Sequence, residues 1–231
     1  MSIRVGKYDF RSKKQPITES YKNILIHVHD DLSPYTLKDD NENIIENVWQ
    51  FSKVYKQVYN INTTLPYKST VLWKWPTETH VDDNGELTHP YWNWRNQGFH
   101  NKYAVRYPNG FHHRHECLYS VLLDPITNEY EELDYITARK KIYCTEYIKA
   151  ARKHPTFYKY KKLLQKGVNL QFNEVDGPRY TDQEPYCYVE NDSLEMNKEI
   201  LEMLLNNPSQ PFGHGYTLAL ALLDLDEILI I

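Results

Sequence analysis

Ile44-Ile45-Glu46-Asn47-Val48-Trp49-Gln50-Phe51-Ser52-Lys53-Val54-Tyr55-Lys56-Gln57-Val58-Tyr59 is the stretch on which the fold reading turns. Its apolar residues Ile44, Val48, Phe51, Tyr55 and Val58 recur at helical spacing, which predicts an amphipathic helix from Ile44 to Tyr59. Glu46, Trp49, Gln50 and Lys53 fall on the nearly opposite face, at i, i+3, i+4 and i+7. Two readings of that face stand. In one it is solvated surface, with weak side-chain pairs. In the other the helix lies between core and cleft, and offers a ligand a carboxylate, an aromatic plate, an amide and an amine. A tryptophan in the middle of the stripe fits a solvated face poorly.

Around this stretch the pattern mixes strands and helices. Asn23 to His29 reads as a strand ended by Asp30-Asp31, with His27 and His29 as structural histidines on one face. Val71 to Trp75 alternates as a strand, Asp83-Asn84-Gly85 is a turn, and Cys117 to Leu123 is another strand. Tyr135 to Lys153 predicts a helix, followed by a second that starts at Pro155 and stops at Gly167. Val168 to Val175 and Tyr186 to Glu190 read as strands. Ser193 to Leu205 reads as a helix with Ser193 as its cap, and Tyr216 to Leu223 as a buried closing helix. The expectation is a mostly helical α+β single domain, residues 1–231, with a small mixed sheet. Residues 62–116 form an insertion within it.

Composition narrows the class. With 41% hydrophobic and 25% charged residues, the 231-residue chain is neither collagen-like nor wholly disordered. A net charge of −4 argues against a protein held to nucleic acid chiefly by phosphate neutralisation. Twenty Tyr and 5 Trp are too many aromatic rings for a chain of mean hydropathy −0.70 to hide in a core. Cys117, Cys144 and Cys187 lie far apart without metal spacing, which favours a reducing compartment. The N-terminus carries scattered charges and no apolar run, so the expectation is a soluble, cytoplasmic protein with no membrane segment. The wealth of Asn, Lys, Ile and Tyr is compatible with a viral or low-GC source.

Leu32-Ser33, an Asp-rich turn and Glu46-Asn47-Val48-Trp49-Gln50-Phe51-Ser52-Lys53 together resemble the signature of the NADAR (YbiA-like) family. Similarity resumes at Ala138-Arg139-Lys140-Lys141, Lys153-His154-Pro155-Thr156-Phe157, Leu163-Leu164, Gly167 to Asp176, and Gly213-His214-Gly215 with Leu218 and Leu222. These segments follow the family's order over about half the chain. Pro34, Tyr35 and Asn47 stand where the family has Asn, Phe and His, and residues 62–116 have no counterpart.

The resemblance implies a hydrolase of N-glycosidic bonds in ADP-ribosyl or ribosyl-phosphate compounds. Its partner would be a small nucleotide or ADP-ribose-type molecule, or an ADP-ribosylated nucleic acid, with no cofactor and no metal. It implies Glu46 as the carboxylate that stabilises charge or activates water, Lys53 as phosphate holder or Schiff-base amine, and Asp176 as a further acidic group. Ser33 and Tyr35 would lie at the substrate, Gln50 would orient ribose hydroxyls, and Trp49 would stack on a base. Gly213, His214 and Gly215, opening the last helix, would let a phosphate approach the backbone. Trp92, Trp94, Arg95 and Arg106 either hold base and phosphate or serve as packing. A non-catalytic nucleotide binder and a single-strand nucleic-acid module built on the aromatic insertion are the competing expectations.

Overall fold

The computed structural model describes residues 1–64, 71–178 and 192–230. Among these, 32% are helical and 25% are in strands. The class is α+β, and the expected predominance of helix is not found. The chain divides into two units. One combines Met1–Ser33 with Tyr147–Ile231, and the other is Pro34–Glu146.

The first unit is built on a four-stranded sheet. Strand β1 (Ile3–Lys7) lies beside β10 (Asn169–Glu174), in parallel, and β11 (Ser193–Met196), antiparallel; β2 (Tyr21–Leu25) flanks β10, also in parallel. Leu170, Phe172 and Glu174 share one fully buried face of β10, and Gln171 and Asn173 share the other. The polar pair is satisfied: Gln171 donates from Nε2 to the Pro16 carbonyl at 2.9 Å and to Asn173 at 3.0 Å. Two helices, α5 (Pro155–Gln165) and α7 (His214–Leu222), pack on β10. In α7 every residue from Gly215 to Leu222 is buried, as expected of a helix apolar all round.

Pro155 opens α5, and Gly167 stops the chain at φ +80°. Ser193 does not cap a helix. Leu194 and Met196 alternate inward against β1, while Arg4 donates to the Ser193 Oγ and carbonyl at 3.0 Å each. The helix starts later, as α6 (Lys198–Leu205), with Asn197 accepting from Ile200 N at 2.9 Å. The expected strand at Tyr186 to Glu190 and Cys187 lie outside the described residues.

In the second unit the expected long helix is short. Helix α1 runs only from Ile45 to Phe51, and the chain turns at Ser52 into β3 (Lys53–Tyr55) and β4 (Gln57–Val58). The Ser52 carbonyl accepts Val121 N at 2.7 Å, so that β3 is drawn onto β8 (Cys117–Leu123), which also pairs with β9 (Tyr130–Leu133). Val54, Tyr55, Val58 and Tyr59 are β-formers, and this tertiary pairing outweighs the helical spacing. The hairpin of β5 (Ile61–Thr64) and β6 (Val71–Trp75) follows. Then come β7 (Glu78–Thr79), on β4, and α2 (His89–Phe99), a helix the sequence pattern did not announce, with Thr88 as its cap and Pro90 in its first turn. The run from Tyr135 is α3 (Tyr135–Ala138), a π-helical segment Arg139–Cys144, and α4 (Thr145–Ala151), whose later residues belong to the first unit.

The described residues of 62–116 supply much of this unit's core. Trp73, Trp75, Tyr91, Trp94 and Val105 are buried together with Phe51, Val54, Tyr55 and Val58. The Phe51 ring lies 4.6 Å from both Trp73 and Trp94. Close packing of α1 on α2 requires Gly98, because a Cβ there would sit 2.1 Å from the Phe51 ring. Overpacking of this kind costs typically about 1–3 kcal/mol, more than the roughly 1 kcal/mol that alanine regains in helix propensity. Gly98→Ala is therefore expected to lower the thermal midpoint. An unchanged or raised midpoint would contradict this packing.

Candidate functional site

The expected site residues fall into two groups, one in each unit. In the second unit, α1 presents Glu46 and Gln50 one turn apart, both buried. Gln50 donates from Nε2 to Glu46 Oε1 at 2.8 Å and accepts from Lys53 Nζ at 3.0 Å through its Oε1. The result is a carboxylate–amide–amine line. Lys53 joins it because the helix stops: as the first residue of β3 it folds back, rather than standing two turns along an axis. Its ammonium lies 4.6 Å from the Trp49 ring centre, over one face expected to stack on a base. Trp49 is itself held by Tyr143 at 5.7 Å and Tyr135 at 6.0 Å.

This setting changes the amine. Burial pushes the Lys53 pKa below its usual value, and the charge of Arg106 acts in the same direction; Cys117 and Glu46 oppose it. Arg106 follows a loop clamped by Asn47, which is fully buried on α1. Asn47 donates to the carbonyls of Asn101 (3.2 Å) and Tyr103 (3.0 Å) and accepts from Val105 N at 2.8 Å. Asn47 thus uses its whole side-chain amide to hold Arg106's loop beside the line.

Other expectations for this unit change. Trp94 is wholly enclosed, 4.6 Å from Phe51 and 5.1 Å from His80, and has no ring face left for a ligand. Trp92 is half-buried, edge-on to Tyr91 and Tyr130. Arg95 is buried, with its guanidinium over Phe99 at 4.3 Å and 3.5 Å from the Ser52 hydroxyl. All three thus have ring or side-chain partners within the unit. Arg106 alone of that group is exposed. Tyr35 is half-buried.

In the first unit, Ser33 is fully buried in a turn, its N–H donating to the Asp30 carbonyl at 2.9 Å. Gly213, His214 and Gly215 gather around a residue the sequence reading passed over, Glu174. Gly215 N donates to Glu174 Oε1 at 3.1 Å, and His214 Nδ1 lies 3.2 Å from Oε2. A Cβ on Gly213 or Gly215 would sit 2.5 or 2.7 Å from that carboxyl group. The glycines make room for a side chain of this chain, where a phosphate was expected. Burial raises the Glu174 pKa to about 8, with the charge of Asp176 adding; Gly215 N–H, Lys7 and Tyr216 N–H oppose. At neutral pH most of the carboxyl is therefore protonated, while its Oε1 accepts from Gly215 N. Asp176, expected to be catalytic, lies half-buried in the turn beyond and acts on Glu174 through its charge. The signal was present in the sequence: Glu174 continues the apolar Leu170–Phe172 face of its strand.

Among the described residues no three His, Cys, Asp or Glu side chains converge as a metal site, and no helix is long and apolar enough to cross a membrane. Comparison with family models, curated proteins and solved structures finds no match.

The sign of Glu174's contribution follows from its raised pKa. The folded state holds a proton that the unfolded state releases above about 4.5, so stability falls as pH rises from there to about 8, then levels. The total is on the order of several kcal/mol. Glu174→Gln keeps the size of the side chain and an acceptor for Gly215 N–H without titrating. Its thermal midpoint should fall much less than that of the wild type between pH 5 and 8.5. Parallel pH profiles would show that Glu174 is ionised in the folded protein.

Proposed function

We propose that this protein is an N-glycosidase that hydrolyses the bond between C1′ of an ADP-ribosyl or ribosyl-phosphate group and a base nitrogen. The observation that supports the reading is the Glu46–Gln50–Lys53 line, with the Lys53 amine desolvated against Trp49. Breaking the C1′–N bond builds positive charge on C1′ and the ring oxygen, and a carboxylate held beside it lowers the barrier. Glu46 takes that role, and Gln50 fixes its spacing from Lys53. A lowered pKa leaves more of the Lys53 amine neutral at physiological pH than an exposed lysine would have.

The neutral amine gives its lone pair to C1′ while the base leaves with the electrons of the C1′–N bond and takes up a proton. The nitrogen then loses its protons as the ring opens, which yields an imine. Water hydrolyses the imine to the free sugar aldehyde and restores the amine. Arg106, exposed and near Lys53, is suited to a phosphate of the same substrate.

The test is base release, followed by chromatography, from NAD, ADP-ribose and ADP-ribosylated guanosine. Glu46→Gln should lower turnover by roughly 10² while changing affinity much less. Borohydride added during turnover should trap a sugar adduct on Lys53, and Lys53→Arg should abolish it. Turnover should rise with pH through the lowered pKa of Lys53. Tight binding of a nucleotide without base release from any compound would establish a binder instead.

A further inference from the structure

Between residues 147 and 173 the sequence has seven Lys and Arg and no Asp or Glu, in a chain of net charge −4. The structure divides these cations between two faces. Arg152 and Lys161 turn inward: Arg152 pairs with Asp226 at 2.9 Å, and Lys161 binds Asp224 and donates to the Leu222 carbonyl at 2.7 Å. They tie helices to the segment after α7. Lys159, Lys162 and Lys166 turn outward, are exposed, and form no ion pair among the described residues. With Lys153 they edge an open groove of about 630 Å³, floored by Pro155, Tyr158 and Leu163.

We propose that this groove on α5 binds the backbone of a single-stranded nucleic acid. Lys159, Lys162 and Lys166 follow one helix face over about 10.5 Å, a line of cations along which successive phosphates of an extended strand can lie. Tyr158 is 56% exposed among them and braced edge-on by Phe157 at 6.2 Å, a plate on which a base can stack. Complementing the α5 dipole explains a cation in the last turn, but not Lys159. An anionic membrane fits less well, because Tyr158 is the one large apolar side chain of α5 that is well exposed, so nothing here would insert. The aromatic residues of 62–116, the sequence-based candidate for this role, are largely spent on packing. The groove's role does not depend on the glycosidase reading.

The test is fluorescence anisotropy of a labelled oligothymidylate of about twelve nucleotides, titrated with the full chain at several salt concentrations. Binding should weaken with salt at a slope of about −2 in log K against log salt, for three lysine–phosphate contacts. Replacing Lys159, Lys162 and Lys166 by Gln should lower affinity at least tenfold and bring the slope near zero. The same change at the exposed Lys13, Lys14 and Lys22 should leave both within twofold. Tyr158→Ala should weaken binding with the slope unchanged. Three outcomes overturn the proposal: no binding at low salt, equal losses in the two triple variants, or binding only to phosphatidylserine-containing vesicles.

Discussion

The contact of the Phe51 ring with Trp73 and Trp94, 4.6 Å from each, is the constraint on which the second unit depends. It fixes the end of α1 against α2, and Gly98 permits the approach. With that end anchored, Ser52 is placed to accept Val121 N, and the chain must leave the helix and enter the sheet. Lys53 is thereby brought back over Trp49 and onto Gln50. A core built from aromatic rings thus has a chemical consequence: an amine on a strand meets a carboxylate on a helix through one bridging amide.

Burial acts on two titratable groups in opposite charge senses. It depresses the Lys53 amine and raises the Glu174 carboxyl, because in each case the charged form loses solvent. Both are pushed towards neutrality. Glu174 lies against Gly213, His214 and Gly215 at the start of α7, where a Cβ on either glycine would meet its carboxyl group. Lys53 is held by a single amide and an aromatic face, which a ligand group could replace.

Much of this was legible in the sequence, and the failures have physical causes. The pairing of Glu46, Gln50 and Lys53 came from their spacing, yet the helix that produced the spacing stops at Phe51. Val54, Tyr55 and Val58 satisfy helical and strand patterns equally, and only the partner strands, β8 for the first two and β7 for Val58, decide between them. The strand at Ser193 was misread because Leu194 and Met196 also fit a helix face until β1 is known to lie beside them. The abundance of Tyr and Trp suggested exposed ligand plates. No composition argument reveals that Trp73, Trp75 and Trp94 pack on one another, since that requires the pairing of β5 with β6 and the placement of α2. Glu174 is masked in the sequence by the stronger signal of the Asp-Gly turn that follows it; the apolar face it completes shows only once β10 is placed in the sheet.

The proposed chemistry turns on the state of the Lys53 amine. Carbon-13 reductive methylation of the lysines, with Lys53 assigned by its absence from Lys53→Arg, allows its titration to be followed by NMR. Desolvation against Trp49 predicts a midpoint well below the ordinary lysine value of about 10.4, and one that returns towards it in Trp49→Ala. A wild-type midpoint at or above about 10.4 would mean that Glu46 outweighs burial, and would contradict the account.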